Sequence, residues 1–291
     1  MKYIRTAVLL TTLVVSGTAV VYLAQSSEAP AFARDSGVVV ATRAVRPPAT
    51  SYSFLRLDNP PRTEVLDQDN GLVATFTDGA RSAVLNGPNR TFSDPARTPA
   101  VVTTDAWVRF TDQPWHAGDE KAEWFRPWLT HALADSGPDL LAVATQYVAS
   151  ARFGPDADVA DFLGEPWQGR TPRKTKLGTL DSAGYARLVY GYRMGYPAIP
   201  RNPAEIATAS LGAVVADQAP GAARAKFLAQ PGDLLLFAID GKEIDHVGIY
   251  LGADDSGRPR FLACRGSGPT FSDVLDDNGP YATGLRGIRR L

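Results

Sequence analysis

The chain has 291 residues, of which 44% are hydrophobic and 21% charged, so it can bury a substantial core and global disorder is excluded. Its 30 basic and 31 acidic side chains leave a net charge of −1, which gives no electrostatic case for binding nucleic acid. The only cysteine, Cys264, excludes an intramolecular disulfide, and the three histidines lack metal-ligand spacing. We therefore expect neither a metal ion nor a cofactor.

The N-terminal segment has the pattern of an export signal. Lys2 and Arg5 precede an apolar run over residues 7–24, and an A-x-A cleavage sequence follows at residues 31–33. We predict a signal peptide over residues 1–33 and a secreted protein. The run is long for a cleaved signal and short for a spanning helix, so an uncleaved N-terminal anchor is the alternative and the one membrane contact considered.

Residues 34–135 are predicted to form a small β-rich region with a linking helix. Turn formers at Asp78-Gly79 and at residues 86–89 separate short runs of strand-forming residues. These runs lie at residues 53–57, 72–77, 82–85 and 106–110. The region carries no convergent set of titratable residues, so we interpret it as structural; a ligand-binding module is the alternative.

An aromatic cluster follows at the end of this region. Its members are Trp107, Trp115, Trp124, Phe125 and Trp128. Such residues form either a carbohydrate-stacking platform or a packed core, and we expect core packing. We interpret the flanking His116 and His131 as ordinary surface or capped residues.

The next segment combines a predicted helix with an acidic loop. Residues 138–148 have helical spacing of apolar residues, with Pro138 in the first turn. Asp156, Asp158 and Asp161 resemble part of a calcium loop but lack its glycine and closing glutamate, so we predict a solvated acidic loop.

A central helix is predicted to begin at Ser182. Asp181 is a good N-cap and Gly195 a good stop signal. The polar face is expected to carry Arg187 and Arg193. The expected buried face consists of Tyr185, Leu188, Val189 and Tyr192. Ser182 would then lie at a helix N-terminus, where backbone N–H groups favour negative charge.

The remaining sequence predicts an antiparallel sheet. Residues 206–216 are mixed and partly helical. Three strands are expected near residues 234–237, 246–252 and 260–264, and the short connections between them favour a meander. The tail, residues 281–291, is expected to add one more strand.

Three motifs in this part of the chain resemble those of the NlpC/P60 cell-wall peptidases. L-D-S-A-G-Y at residues 180–185 resembles the family's D-C-S-G-[FY], and Q-P-G-D-L at 230–234 resembles its P-G-D-L turn. D-H-V-G-I-Y-L-G at 245–252 resembles its H-V-[GA]-I-Y-[LI]-G strand. The resemblance covers about residues 138–291 and implies a papain-like α+β domain, with helices packed on a small antiparallel sheet, over residues 136–291.

The resemblance also implies site residues, and several depart from the family pattern. Ser182 takes the position of the cysteine nucleophile, and His246 takes that of the base. The polar residue that orients the histidine aligns on Ala263, which cannot do so. The upstream tyrosine is missing, and P-W-Q-G at residues 166–169 stands there instead.

These departures weaken the expected chemistry. A serine hydroxyl is not ionised in advance as a thiol can be, so it needs a base held in one tautomer during attack. We therefore expect weak or lost activity. Alternatives are a working Ser182–His246 hydrolase, an orienting role for Arg265, Ser267 or Cys264 from a shifted register, and Cys264 as a displaced nucleophile.

The resemblance implies a secreted protein of the bacterial cell envelope whose partners are peptidoglycan stem peptides or a cell-wall enzyme. The first hypothesis is a cell-wall peptidase homologue with weak or lost activity. The second is a non-catalytic protein that binds peptidoglycan or a partner. In a third, Ser182 is only a helix cap and His246 only a strand residue of an envelope scaffold.

Overall fold

A computed structural model describes residues 49, 51–148, 150–216, 228–241, 243–271, 273–275 and 279–291. The predicted signal peptide or anchor at residues 1–33 lies outside these ranges. Among the helices within them, none combines the length and apolarity that a membrane span requires.

The first part of the chain forms a five-stranded antiparallel meander with strand order β1-β2-β3-β4-β5. The strands are β1 (Ser53–Asp58), β2 (Pro61–Leu66), β3 (Leu72–Thr77), β4 (Ser82–Ser93) and β5 (Val101–Phe110). Strand β2 was not predicted. The expected turn at residues 86–89 is wrong, because these residues lie inside β4, where the pairing with β5 shifts register between Asn86 and Arg90. A β-bulge of this kind accommodates turn-forming residues without ending the strand.

The aromatic cluster packs against this sheet, as expected. Helix α1 (Phe125–Ala134) places Phe125 against Phe76, which also stacks on Trp115 at a centroid distance of 4.4 Å. Trp115 and Phe125 are fully buried, whereas His116 and His131 are exposed. The cluster is therefore a core and not a stacking platform.

The second part of the chain builds a six-stranded sheet of order β12-β11-β10-β9-β13-β8, in which every pair is antiparallel. The strands are β8 (Ala213–Ala216), β9 (Leu234–Phe237), β10 (His246–Ala253), β11 (Pro259–Arg265), β12 (Gly268–Thr270) and β13 (Leu285–Arg290). The predicted meander and the tail strand are both present. The tail strand does not extend the meander at its end, because β13 inserts between β9 and β8.

The helices of this part are short. They are α2 (Leu140–Thr145), α3 (Val159–Leu163), α4 (Ser182–Ala186), α5 (Pro203–Thr208) and α6 (Pro280–Gly284). Helix α4 packs on β10 and β11 of the six-stranded sheet, whereas α2 contacts β5 of the first sheet. A small parallel pair, β6 (Arg152–Phe153) and β7 (Thr179–Leu180), leads into α4. The predicted α+β class, with helices packed on an antiparallel sheet, is confirmed.

Helix α4 continues directly into a π-helical segment, Arg187–Arg193, and this changes which side chains are buried. The Met194 N–H donates to the carbonyl of Val189, an i→i+5 bond that rotates the side chains relative to an α-helix. Tyr192 is consequently 43% exposed, and Arg187 is only 6% exposed. The expected burial of Tyr192 and exposure of Arg187 were both wrong.

The two parts of the chain share one hydrophobic core. Val84, Val102 and Val108 of the first sheet belong to the same buried cluster as Leu140 and Ile249. The boundary predicted between residues 135 and 136 therefore lies between segments that pack on each other, and it stays a prediction.

A buried ion pair joins the two parts. Both guanidinium Nη atoms of Arg90 donate to the carboxylate of Asp139 at 2.6 Å, and both side chains are completely buried. Asp139 also accepts the N–H of Val108 at 2.7 Å and caps α2 through the N–H of Ala142. The Arg90 guanidinium lies 3.9 Å from the ring centroid of Trp107. Breaking such a pair leaves an uncompensated buried charge.

We predict that Arg90→Met lowers the free energy of unfolding by about 3 to 5 kcal/mol, measured by urea denaturation. Arg56→Met is the matched control, since Arg56 and Asp78 form a more exposed pair, and its loss is expected to stay below about 1 kcal/mol. Equal losses for the two variants would contradict the prediction.

Candidate active site

The first turn of α4 fixes the position of Ser182. Asp181 has extended backbone and accepts the N–H of Gly184 at 2.7 Å, as predicted for an N-cap. A Cβ at residue 184 would lie 2.5 Å from the carbonyl oxygen of Ala157, so only glycine permits this close approach. The start of α4 is therefore held against the segment that precedes α3.

The Ser182 side chain is 5% exposed and points at the sheet. Its Oγ accepts a hydrogen bond from the N–H of Val247 at 3.3 Å. Val247 follows His246 in β10, so the predicted nucleophile and base come from neighbouring elements. Both residues line one cavity of about 780 Å³.

The His246 side chain is largely shielded from solvent. It is 8% exposed, and its ring lies 6.1 Å from that of Phe237 and 6.0 Å from that of Tyr281, between centroids. Its Nε2 atom is buried and has no hydrogen-bond partner among the described residues. Burial, together with the positive charge of Arg265, lowers the pKa of His246 to about 4, against a weaker effect of Asp245. The imidazole is therefore neutral at pH 7.

The described residues around His246 offer it no orienting hydrogen bond. Ala263 is completely buried in the same cluster as Phe261 and Tyr281. The Tyr281 hydroxyl accepts from Arg265 Nη1 at 2.8 Å and donates to Asp273 Oδ2 at 3.1 Å. The Tyr281 ring thus lies near the imidazole, but its hydroxyl bonds to Arg265 and Asp273 and not to His246.

Arg265 and Ser267 are poor substitutes for the missing orienting residue. A guanidinium donates hydrogen bonds and carries a positive charge, so Arg265 opposes protonation of His246. Ser267 lies exposed in the turn after β11 and does not line the cavity.

Cys264 lies on the opposite face of β11 from Ala263, as strand alternation requires. It belongs to the core cluster shared with Leu180, and its Sγ donates to the Leu180 carbonyl at 3.1 Å. Burial raises the pKa of the Cys264 thiol well above its ordinary value, and the residue does not line the cavity. These observations weigh against a displaced cysteine nucleophile.

The expectation of a solvated acidic loop was wrong for Asp158 and Asp161, whereas Asp156 is exposed. Asp158 and Asp161 are 1% and 2% exposed and form a capping box at the start of α3. Arg187 Nε donates to Asp158 at 3.1 Å, and Arg173 binds Asp161. Burial alone would raise the pKa of Asp161, but the hydrogen bonds, led by that of Arg173, lower it to about 2.

The sequence interpretation missed the charged residues around Ser182. The arginines that line the cavity are Arg170, Arg173, Arg201 and Arg265. The carboxylates that line it are Asp156, Asp181, Asp240, Glu243 and Asp245. The only sequence signal was the recurrence of arginine between residues 170 and 201, which gave no indication that these side chains meet. In the described ranges, no group of three or more His, Cys, Asp or Glu residues is placed to hold a metal ion.

We predict that His246 makes folding stability depend on pH. The folded pKa lies near 4 and the unfolded value near 6.5, so the unfolded chain takes up a proton that the folded chain refuses. Lowering the pH from about 6.5 to about 4 should therefore cost on the order of 3 kcal/mol of stability. Urea denaturation across this range measures the loss, and His246→Gln should lack this component. Parallel pH profiles for the two proteins would refute the prediction.

Comparison with known proteins gives one family. Residues 166–266 match the model of the NlpC/P60 family, a stretch that contains Ser182, His246, Ala263 and the cavity-lining arginines. No curated protein matches the chain. The resemblance found in the three motifs is confirmed, and the chain contains an NlpC/P60 family domain.

Proposed function

We propose that this protein is a secreted homologue of the peptidoglycan stem-peptide peptidases whose own activity is weak or lost. The family match supports a peptidase-like role at the cell wall. The observation that carries the rest is the state of the Ser182–His246 pair: both line one cavity, yet Oγ accepts from Val247 N–H and Nε2 has no partner in the described chain.

The environment of His246 argues against efficient serine activation. As Ser182 attacks, its proton must pass to the imidazole, which becomes a cation. Burial and the nearby Arg265 both disfavour that cation, and no carboxylate or amide on β11 stabilises it at Ala263. Loss of members of such a catalytic unit costs several orders of magnitude in rate.

A non-catalytic binding role is the second candidate. The cavity of about 780 Å³ is large enough for part of a peptide, and its lining carries both guanidinium and carboxylate groups. A groove of this kind suits a stem peptide, which carries charges of both signs. On this hypothesis the protein recognises peptidoglycan or a partner enzyme in the bacterial envelope without cleaving it.

We predict that the unmodified chain gives no detectable turnover of muropeptides, and that Ser182→Cys gives a small gain. Adding Ala263→His should raise the gain at least about tenfold, because a second imidazole can orient His246 and stabilise its charge. Because Tyr281 belongs to the same buried cluster as Ala263 and its ring lies 6.0 Å from that of His246, the pair is also combined with Tyr281→Ala. Products are followed by liquid chromatography with mass spectrometry.

Folding of each variant is checked by circular dichroism. Robust cleavage by the unmodified chain, abolished by Ser182→Ala, would show that the hydroxyl works as a nucleophile and would overturn the weak-activity proposal.

We predict that the unmodified chain co-sediments with insoluble peptidoglycan and that Ala204→Trp reduces the bound fraction at least about fivefold. Ala204 lines the cavity, so an indole there fills part of the groove. Ala96→Trp is the matched control on the exposed surface of the first sheet region. An unmodified chain that stays in the supernatant would favour the scaffold hypothesis.

A further inference from the structure

Arg170 lies on a wall shared by two cavities. It lines the main cavity with Ser182, and it also lines a neighbouring cavity of about 360 Å³ beside α3. Its side chain is 50% exposed. A ligand in the main cavity would therefore find this guanidinium accessible beside Ser182.

The guanidinium of Arg170 is weakly engaged by the protein. Within the described residues its ionic partner is Asp158, and the Nε–Oδ2 distance of 3.7 Å is too long for a hydrogen bond. Arg173, by contrast, donates to Asp161 through both Nε and Nη2. Arg201 binds Asp181 through both Nη atoms. Arg170 thus keeps donors available for another acceptor.

The ion pairs around Asp158 leave one guanidinium weakly paired. Three guanidinium groups surround Asp158, with Arg187 at 3.1 Å and Arg170 and Arg201 at 3.7 Å. Asp158 Oδ2 is itself buried and has no hydrogen bond in the described chain, so Asp158 only loosely neutralises Arg170 and Arg201, the two guanidinium groups at 3.7 Å. Asp181 pairs with Arg201, which leaves Arg170 as the guanidinium of this group without a hydrogen-bonded carboxylate among the described residues.

A purely structural role does not account for this arrangement. An ion pair with one half-exposed partner and no hydrogen bond contributes little to stability. An arginine that has free donors in a cleft is, however, well suited to bind a carboxylate through two parallel hydrogen bonds.

We propose that Arg170 forms a carboxylate-binding subsite of the cleft, on the α3 side of Ser182. The subsite takes a free carboxylate of a peptide whose backbone passes Ser182, and it discriminates against the corresponding carboxamide. This inference rests on the proposed peptide-binding function and adds the charge that the bound peptide must carry.

Two tripeptides test the subsite by isothermal titration calorimetry with the full chain at low ionic strength. One is L-alanyl-γ-D-glutamyl-L-lysine amide, in which the glutamyl carboxylate is the only anion. The other carries a carboxamide at that position. We expect the acid to bind about tenfold more tightly than the amide, as a charge-assisted hydrogen-bonded pair allows. Added salt should shrink this preference.

Arg170→Gln should abolish the preference and leave binding of the amide unchanged, whereas Arg126→Gln, at an exposed position on α1, should behave as the unmodified chain. A preference that survives Arg170→Gln, or equal binding of both peptides to the unmodified chain, would overturn the subsite while leaving the peptide-binding proposal intact. Failure of the folded, unmodified chain to bind either peptide would overturn both.

Discussion

The hydrogen-bonded cap at Asp181 is the interaction on which the site depends. The Asp181 carboxylate accepts the N–H of Gly184 and so caps the first turn of α4. It also pairs with Arg201, which lies in the loop beyond the π-helical segment. Burial raises the pKa of Asp181, and the contact with Arg201 acts against that rise. The same carboxylate therefore positions Ser182 at the helix start and one cationic wall of the cavity. Loss of this contact would release both at once.

The second constraint is the burial of the His246 side chain. The rings of Phe237 and Tyr281 lie near the imidazole of His246, and Ala263 is buried in the same cluster as both rings. A packed aromatic pocket holds the ring by contact alone, without a charge to stabilise an imidazolium. Ser182 and His246 thus line one cavity, while the surroundings of the imidazole disfavour the cation that general-base catalysis would form.

Local sequence signals predicted much of this architecture. Short runs of strand-forming residues between turn formers located β3, β9, β10 and β11, and Asp181 and Gly195 marked the ends of the helical segment containing Ser182. Failures occurred where distant residues decide the outcome. Asp158 and Asp161 read as solvated because their arginine partners are remote in sequence, and the π-helical turn that buries Arg187 has no signature in the spacing.

The Arg90–Asp139 pair also bears on how the molecule folds. The two residues are 49 positions apart, so the buried carboxylate that caps α2 is paired with its counter-charge only once β4 lies next to it. Contacts of this sequence separation carry a large loop-closure entropy, which slows folding and makes assembly cooperative. The five-stranded sheet β1–β5 contributes no described residue to the cavity. Because it shares a core with the part of the chain that does, we expect both parts to unfold in a single transition.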